Sequence, residues 1–292
     1  MDSMWMYDFH LFYEGGRAVL MGQSPSAIWD FNGPYPLALL FAPFALLPEP
    51  LAYALFVALN LFLLWKVLRR RSLWALLSFP VLFTLFVGQV DLFLGLAIPL
   101  GAPWTLALAL MKPQVGFVAL PWLLRRLDKQ DWIKAGAAGA ALLGLCFLLR
   151  PGWVGEWLAR QPGLVNYSVH TSNLLWLAPD LGSLRSTLTI AVGLLALAPG
   201  FLLRQKRDSW ATLQLFQPLT NIYSAAVLAE WFGPLELGLS WAAVLLVGGN
   251  IHAGMPMFLV ALGILARPYW RSALKGLQAR RRRGVRNFPR ND

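Results

Sequence analysis

The sequence contains few of the side chains from which most metal and nucleophilic sites are built. Its 292 residues include one cysteine, three histidines and 14 acidic residues. With Cys146 alone, the chain can form neither a disulfide framework nor a multi-thiolate metal site. The three histidines are too scattered to indicate a zinc site. There is also no phosphate-binding glycine loop, no His-Glu-x-x-His motif and no Gly-x-Ser-x-Gly elbow, so nothing indicates a nucleotide-dependent, zinc or serine-hydrolase class.

Hydrophobic residues, in contrast, are abundant. They make up 58% of the chain, against 13% charged residues, and include 14 Trp and 18 Phe. This composition is typical of a protein with many membrane helices rather than of a soluble core. The first thirty residues carry charges and glycines instead of an apolar run, so no cleavable signal peptide is predicted. We therefore predict an all-α polytopic membrane protein in the cell membrane.

The net charge of +11 is concentrated in clusters beside apolar runs. These clusters lie at residues 66–71, 125–134, 204–207 and 267–290. The positive-inside rule places such clusters on the cytoplasmic side. The arginine run at 280–283 could bind RNA, but a basic tail beside a membrane helix more often meets anionic lipid head groups. The expected partners are therefore membrane lipids and not nucleic acid.

Prolines, glycines and the basic clusters divide the chain into segments of one integral membrane domain, residues 1–292, with about eleven crossings. The segments are an outer part (1–50), core helices (51–149), an extracytoplasmic loop (150–180), C-terminal helices (181–266) and a basic cytoplasmic tail (267–292). The outer part is expected to contain an amphipathic helix at 9–21 and a short apolar, re-entrant run at 35–47. The expected core helices are 51–68, 73–88, 91–100, 103–112, 114–124 and 135–149. The later ones are 184–203, 209–219, 222–232, 235–250 and 253–266.

Two polar stretches interrupt the apolar core, at residues 87–91 and 111–114. A charged side chain in a membrane region is costly unless it is paired or faces water. Gly88 and Pro113 break helices, so the polar backbone here is expected to line a cavity walled by protein. The topology places Gln89, Asp91, Lys112 and Gln114 together at the outer end. Two interpretations stay open, a structural ion pair between Asp91 and Lys112 or a functional polar site, and we prefer the site.

Further polar side chains are predicted on the same outer face. They are Asp8, His10, Asp30, Asn32, His170, Asn221 and His252. A carboxylate near the N-terminal helix and a cation on the opposite wall suit one chemistry well. The carboxylate can take a proton from an acceptor hydroxyl, and the cation can stabilise an anionic leaving group.

Structural roles compete with these functional ones. Asp8 could cap the following helix, and Asp30 is expected to be a turn residue. His170 and His252 could be satisfied structural histidines. Arg150 and Arg160, in the outer segment, are expected to have anionic partners or to reach lipid phosphate. The tryptophans of the loop are expected to form an interfacial aromatic belt more readily than a sugar-stacking platform; they are Trp153, Trp157 and Trp176.

The N-terminal part of the sequence resembles the first outer segment of GT-C glycosyltransferases, most closely the bacterial polyprenyl-phosphate-mannose-dependent α-mannosyltransferases. The residues that carry this resemblance are Asp8-Phe9-His10-Leu11-Phe12-Tyr13, Ala18, Gly22, Tyr35-Pro36, Pro43 and Leu47-Pro48. Gly88-Gln89 and Lys112-Pro113-Gln114 match two further marks of that family. The resemblance covers residues 8–124. Family members usually carry a membrane helix before the aspartate, whereas seven residues precede Asp8 here.

The resemblance implies a GT-C-like bundle and a hexosyltransferase that uses a lipid-phosphate sugar, without a nucleotide sugar or a divalent metal cofactor. Asp8 would be the general base, and Gln89, Lys112 and Gln114 would bind the donor phosphate. The possible supporting residues are His10, Tyr35, Asp91, His170, Asn221 and His252. The family commonly has Asn at the position of Asp91, so this chain adds a charge beside the phosphate site.

The function expected from residues and resemblance together is transfer of a hexose, mannose in the first place, from a polyprenyl-phosphate donor to a lipid or glycan hydroxyl. The reaction would take place on the extracytoplasmic side, with inversion. A transporter or flippase is the alternative, because broken helices and charges within the membrane are expected there too. A homologue that binds polyprenyl lipid without turnover is a third possibility.

Overall fold

The computed structural model describes residues 5–167, 184–217, 222–248, 256–270 and 272. Within these ranges all regular secondary structure is helical, and the apolar helices confirm the predicted all-α polytopic membrane protein. The helices are α1 (Tyr7–Leu20), α2 (Tyr35–Phe41), α3 (Glu49–Leu68), α4 (Ser72–Leu76), α5 (Phe79–Val87), α6 (Asp91–Leu100), α7 (Pro113–Leu124), α8 (Lys129–Leu149), α9 (Trp153–Tyr167), α10 (Leu184–Leu202), α11 (Lys206–Phe216), α12 (Pro234–Leu246) and α13 (Phe258–Trp270). Short 3₁₀ segments lie at Pro25–Ala27, Phe44–Leu46, Arg69–Arg71, Trp104–Leu110 and Ile222–Trp231.

Two helices of the described residues are long and apolar enough to cross a membrane alone. They are Glu49–Leu76, which continues α3 through α4, and Lys129–Leu149, which is α8. A third span results if α5 and α6, bent by 105° at their break, cross as a pair. Shorter apolar helical stretches of 10–17 residues lie at Pro113–Leu124, Ile190–Leu202, Pro234–Leu246 and Phe258–Trp270. The number of about eleven crossings therefore stays a prediction.

Many helix boundaries agree with those predicted from proline and glycine, but several regions need correction. The stretches 103–112 and 222–232 form 3₁₀ segments, Trp104–Leu110 and Ile222–Trp231, and α8 begins at Lys129 instead of residue 135. The stretch 73–88 is two helices, α4 and α5, because Ser78 is extended and Pro80 is tolerated only in the first turn of a helix. The segment expected as an outer loop forms the helix α9 over the part that is described.

The N-terminal helix is amphipathic, as predicted, and it lies against the core. Phe9 is fully buried, with its ring centroid 5.7 Å from that of Phe41 and 5.3 Å from that of Tyr53. A Cβ on Gly16 would lie 2.6 Å from the Phe41 backbone, so α1 can approach α2 only because this residue has no side chain. This packing holds the first turn of α1 over the end of α5.

Candidate active site

The carboxyl group of Asp8 faces the protein instead of capping its own helix. Met6 is the N-cap of α1, in the left-handed conformation at φ 63°, and no side chain caps this end. The alternative structural role of Asp8, as the cap of this helix, is therefore excluded. The Met6 N–H donates to the Phe86 carbonyl over 3.0 Å, which joins the start of α1 to the end of α5. Asp8, two residues after Met6, forms a side-chain hydrogen bond with Gln89.

Gly88 permits the contact between Asp8 and Gln89. It ends α5 at φ 79°, in the region that favours glycine. A Cβ at this position would lie 2.3 Å from the Cβ of Phe9. The turn between α5 and α6 therefore touches the backbone of α1 directly, and the next residue, Gln89, comes within reach of Asp8.

Four polar side chains form one hydrogen-bonded chain at this point. Gln89 Oε1 accepts from the Lys112 ammonium over 2.9 Å, which leaves the Gln89 amide N–H groups to donate to Asp8. The same ammonium donates to Asp91 Oδ2 over 2.5 Å. The order is Asp8, Gln89, Lys112, Asp91, and we call these four the polar chain. Residues predicted to meet from two separate stretches thus lie in contact.

The ion pair in the polar chain is almost completely removed from solvent. The side chain of Asp91 is 1% exposed and that of Lys112 is 13% exposed. Asp91 Oδ1 is buried without a hydrogen-bond partner in the described part of the chain. The Lys112 ammonium also lies 4.9 Å from the centroid of the Tyr223 ring. The structural ion pair between Asp91 and Lys112, one of the two interpretations above, therefore does form. The Lys112 ammonium also donates to Gln89.

The environment of Asp8 changes its acidity. Its helix α1 is not among those that could cross a membrane, and part of the residue's surface stays accessible. Protein nevertheless surrounds the carboxyl group, and this loss of hydration raises the pKa of Asp8 to about 7, with Asp91 and Asp30 adding to the rise. Lys112 and the hydrogen bond from Gln89 oppose the rise. A carboxyl group with a pKa near 7 is suited to take up a proton at neutral pH.

The other predicted site residues lie apart from the polar chain. Gln114, the second residue of α7, is half-buried, and its side chain makes no hydrogen bond within the described ranges. His10 is exposed and its Nδ1 lies 2.8 Å from Glu49 Oε1. Tyr35 is buried in a separate cluster with Cys146 and Trp153. His170, Asn221, His252 and Trp176 lie outside the described residues.

The outer segment has partners that the sequence indicates only in part. Arg150 pairs with Glu156 over 2.8 Å, which confirms the expected anionic partner. Arg160 donates to the Ile28 carbonyl over 2.9 Å, and no acid among the described residues pairs with it. Trp153 is buried and its ring lies against those of Tyr35 and Trp157, and the expected aromatic belt stays a prediction. Asp30 is a turn residue, as predicted, with φ 65°.

A large apolar cavity, which sequence patterns do not reveal, lies along α7, and Pro113, the residue after Lys112, is part of its lining. Its volume is about 930 Å³, and α7 lines it from Pro113 to Leu124. The opposite walls come from the 3₁₀ segment at Leu106 and Leu110, from α10 and from Trp153 and Trp157. Helices distant in sequence build these walls, so no local pattern could have predicted the cavity. Its apolar lining extends along α7 from the residue that follows Lys112, and the enclosed space is suited to hydrocarbon.

Metal ligands are not grouped in the part of the chain that is described. No set of three or more His, Cys, Asp and Glu side chains there could hold a metal ion. The polar chain offers two carboxylates, and both already have hydrogen-bond partners.

Comparison with known families supplies the class of the protein. The model of glycosyltransferase family 87 matches residues 31–216, more than half of the chain. The chain belongs to glycosyltransferase family 87. The matched region contains Gln89, Asp91 and Lys112, whereas Asp8 precedes it. No curated protein and no solved structure matches the chain. Family membership supports a membrane glycosyltransferase over the transporter or flippase.

Proposed function

We propose that this family 87 protein transfers a hexose from a polyprenyl-phosphate donor to a lipid or glycan hydroxyl, with mannose as the first candidate. The configuration at the anomeric carbon is inverted. One observation carries the proposal: Lys112 of the polar chain directly precedes Pro113, which is among the residues that line an apolar cavity of about 930 Å³. A polyprenyl-phosphate sugar likewise combines a polar and an apolar part, because its anionic phosphate lies between a sugar and a long hydrocarbon chain.

The donor phosphate is assigned to Lys112. Asp91 is the first residue of α6 and Lys112 immediately precedes α7, so two helix N-termini meet at this cation. Helix N-termini favour anions through their free N–H groups and their dipole. The Gln89 side chain accepts a hydrogen bond from the Lys112 ammonium. The side-chain amide of Gln114, two residues after Lys112, is available to donate to phosphate.

The proposed step is a single displacement. The acceptor hydroxyl oxygen bonds to the anomeric carbon while Asp8 takes the hydroxyl proton. The bond from the anomeric carbon to the phosphate oxygen breaks, and its electron pair leaves with that oxygen. Lys112 stabilises the charge that develops there. The products are the glycosylated acceptor, polyprenyl phosphate and a protonated Asp8.

The cavity along α7 is assigned to the polyprenyl chain. Its walls are almost entirely aliphatic and aromatic, and each Å² of apolar surface removed from water contributes about 25 cal/mol. Donors with longer chains are therefore expected to bind more tightly until the cavity is filled.

The site is assigned to the extracytoplasmic side, with the C-terminus in the cytoplasm. Lys112 lies at the start of α7, whereas Arg125 follows its end and donates to the Leu202 carbonyl over 2.7 Å. The basic residues after α7 and α10 thus lie together at the end of α7 opposite Lys112. Basic clusters of this kind are cytoplasmic under the positive-inside rule.

The test is transfer of radiolabelled mannose from synthetic polyprenyl-phosphate-mannose by the purified protein with total membrane lipids. Wild type is compared with Asp8→Asn and with Glu14→Gln, a carboxylate on the same helix that pairs with Arg17 instead. We expect transfer by the wild type and the Glu14 variant only. Full activity of Asp8→Asn would remove Asp8 as the base. If wild type transfers nothing from mannose, glucose or galactose donors, the donor class is wrong.

A further inference from the structure

The surface next to Asp8 carries exposed aromatic side chains around a carboxylate. Trp29 is 87% exposed, and Trp5 and Tyr7 are also exposed. The Tyr7 hydroxyl donates to Asp30 Oδ2 over 2.6 Å, so the residue beside Asp8 is joined to the turn that carries Trp29. We call Tyr7, Trp29 and Asp30 the aromatic patch.

The turn of the aromatic patch is held in a conformation that its sequence does not favour. Asp30 has φ 65°, which costs a residue with a side chain about 1 kcal/mol or more. Tyr7 on one oxygen and the Asn32 amide, at 3.3 Å, on the other hold its carboxylate. Each oxygen keeps a further lone pair that can accept a hydroxyl. The turn thus presents a fixed acceptor beside a fully accessible indole ring.

An exposed indole next to a carboxylate matches the chemistry of a sugar. The C–H groups on one face of a pyranose pack against an aromatic ring, and its hydroxyls donate to carboxylate oxygens. The position fits an acceptor, because Tyr7 precedes Asp8 directly and the Asp30 carboxylate acts electrostatically on that of Asp8.

An apolar groove begins at Trp5, two residues before Tyr7 of the aromatic patch. Its volume is about 660 Å³, and it lies between the outer parts of α3 and α5, with Tyr53, Ala54, Ala58 and Leu82 among its lining residues. The Trp5 ring packs edge-on against Tyr53, with centroids 5.7 Å apart. Because α3 is long and apolar enough to cross a membrane, the groove opens on a face that hydrocarbon can reach.

From these observations we propose that the acceptor is a glycolipid, whose sugar stacks on Trp29 and donates to Asp30 while its hydrocarbon chain occupies the groove between α3 and α5. This inference rests on the proposed function, since it assigns the hydroxyl that Asp8 deprotonates. It also separates the two lipids, because the groove at Trp5 and the cavity along α7 share no lining residue.

The test is equilibrium binding without any donor. Radiolabelled methyl and octyl α-mannoside and the corresponding glucosides are titrated against the protein in phospholipid nanodiscs, with empty nanodiscs subtracted. Trp29→Ala removes the stacking surface, and Ala58→Phe fills the groove at an exposed position. The matched controls are Trp65→Ala, an exposed tryptophan near the other end of α3, and Ala140→Phe, an exposed alanine on α8.

We expect octyl glycosides to bind more tightly than methyl glycosides. Trp29→Ala should weaken both roughly tenfold, the scale of losing an aromatic anchor. Ala58→Phe should weaken only the octyl compounds, and the controls should change neither. If Trp29→Ala binds like wild type, Trp29 is an interfacial anchor and the proposal is wrong. It is also wrong if wild type binds none of the four glycosides saturably.

The two proposals fail separately in this design. Binding that depends on Trp29 supports the acceptor site even if the mannose transfer assay is negative, which would count only against the proposed donor. Transfer that persists undiminished in Trp29→Ala at low acceptor concentration would overturn the acceptor site and leave the proposed reaction intact.

Discussion

The Lys112 ammonium lies 2.5 Å from Asp91 Oδ2, and this buried ion pair joins the first residue of α6 to the residue that precedes α7. Both charges occupy positions with little access to water, so neither is stable there alone. The pair is therefore structural, and the same ammonium is the cation that the proposed reaction needs. Variants of each partner and of both can separate the two roles.

Removing Lys112 alone should cost both stability and transfer. Lys112→Ala leaves the Asp91 carboxylate buried and unpaired, which typically costs about 3–5 kcal/mol. The double variant Asp91→Leu with Lys112→Met replaces the pair by apolar side chains and should recover most of that stability. Transfer should stay absent in both. Thermal unfolding in detergent and the mannose transfer assay measure the two effects.

The matched control for that series is Lys134→Ala. Lys134 pairs with Asp131 over 3.0 Å at an accessible position, and such pairs contribute about 1 kcal/mol at most. Recovery of transfer in the double variant would show that the cation is not needed for the reaction.

Transfer should increase with pH through neutrality. The pKa of Asp8 is raised to about 7, and a general base acts only when it is deprotonated. At limiting substrate the rate should rise tenfold per pH unit well below 7 and level off above it. Asp30→Asn should move the midpoint to lower pH, because the Asp30 carboxylate helps to raise the pKa of Asp8. Asp131→Asn should leave the midpoint in place, and a flat profile between pH 5 and 8 would contradict Asp8 as base.

Gly88→Ala should displace α1 from the site. The new Cβ would meet that of Phe9 at 2.3 Å, at a residue with φ 79°. We expect a loss of about 2–4 kcal/mol in the free energy of unfolding and loss of transfer.

Gly22→Ala is the matched comparison for Gly88. Gly22 has a similar φ of 68°, but a Cβ there would meet nothing within 4 Å. This variant should show only the conformational cost of about 1–2 kcal/mol and keep its activity. Equal losses of transfer in the two variants would mean that the contact with Phe9 does not position Asp8.

Filling the cavity along α7 should discriminate between donors by chain length. Leu120→Trp adds volume to the cavity wall. We expect a higher KM for donors with long polyprenyl chains and an unchanged KM for short-chain analogues. Leu148→Trp, at an 80% exposed position of α8, is the control. The same KM increase for every chain length would place the polyprenyl chain elsewhere.

The helical framework is largely predictable from the sequence, because prolines and glycines interrupt strongly apolar runs. The predicted segments 91–100 and 114–124 agree with α6 and α7 to within one residue. Asp91, at the start of α6, and Lys112, just before α7, could be placed together from the sequence. The two short segments between them, 91–100 and 103–112, return the chain to the same side of the membrane. The break between α4 and α5 was missed, although Pro80 marks the first turn of a new helix.

Contacts between distant segments were less accessible to prediction. His10 and Asp8 lie two residues apart, yet the first contacts Glu49 and the second contacts Gln89. Their directions depend on how α1 packs over Gly88, which a one-dimensional pattern does not contain. Both the cavity along α7 and the isolation of Tyr35 depend on the same tertiary packing.

The shared lysine also bears on product release in the proposed reaction. One ammonium faces two carboxylates, Asp8 and Asp91, so the site has no surplus positive charge among the described side chains. The donor is a phosphodiester with one negative charge, whereas the departing phosphate monoester carries about 1.5 to 2 at neutral pH. Once the sugar has moved and Asp8 has released its proton, two carboxylates and a phosphate of greater charge share the one ammonium. A site with this balance holds its donor moderately and expels its spent carrier, which favours repeated turnover over product inhibition.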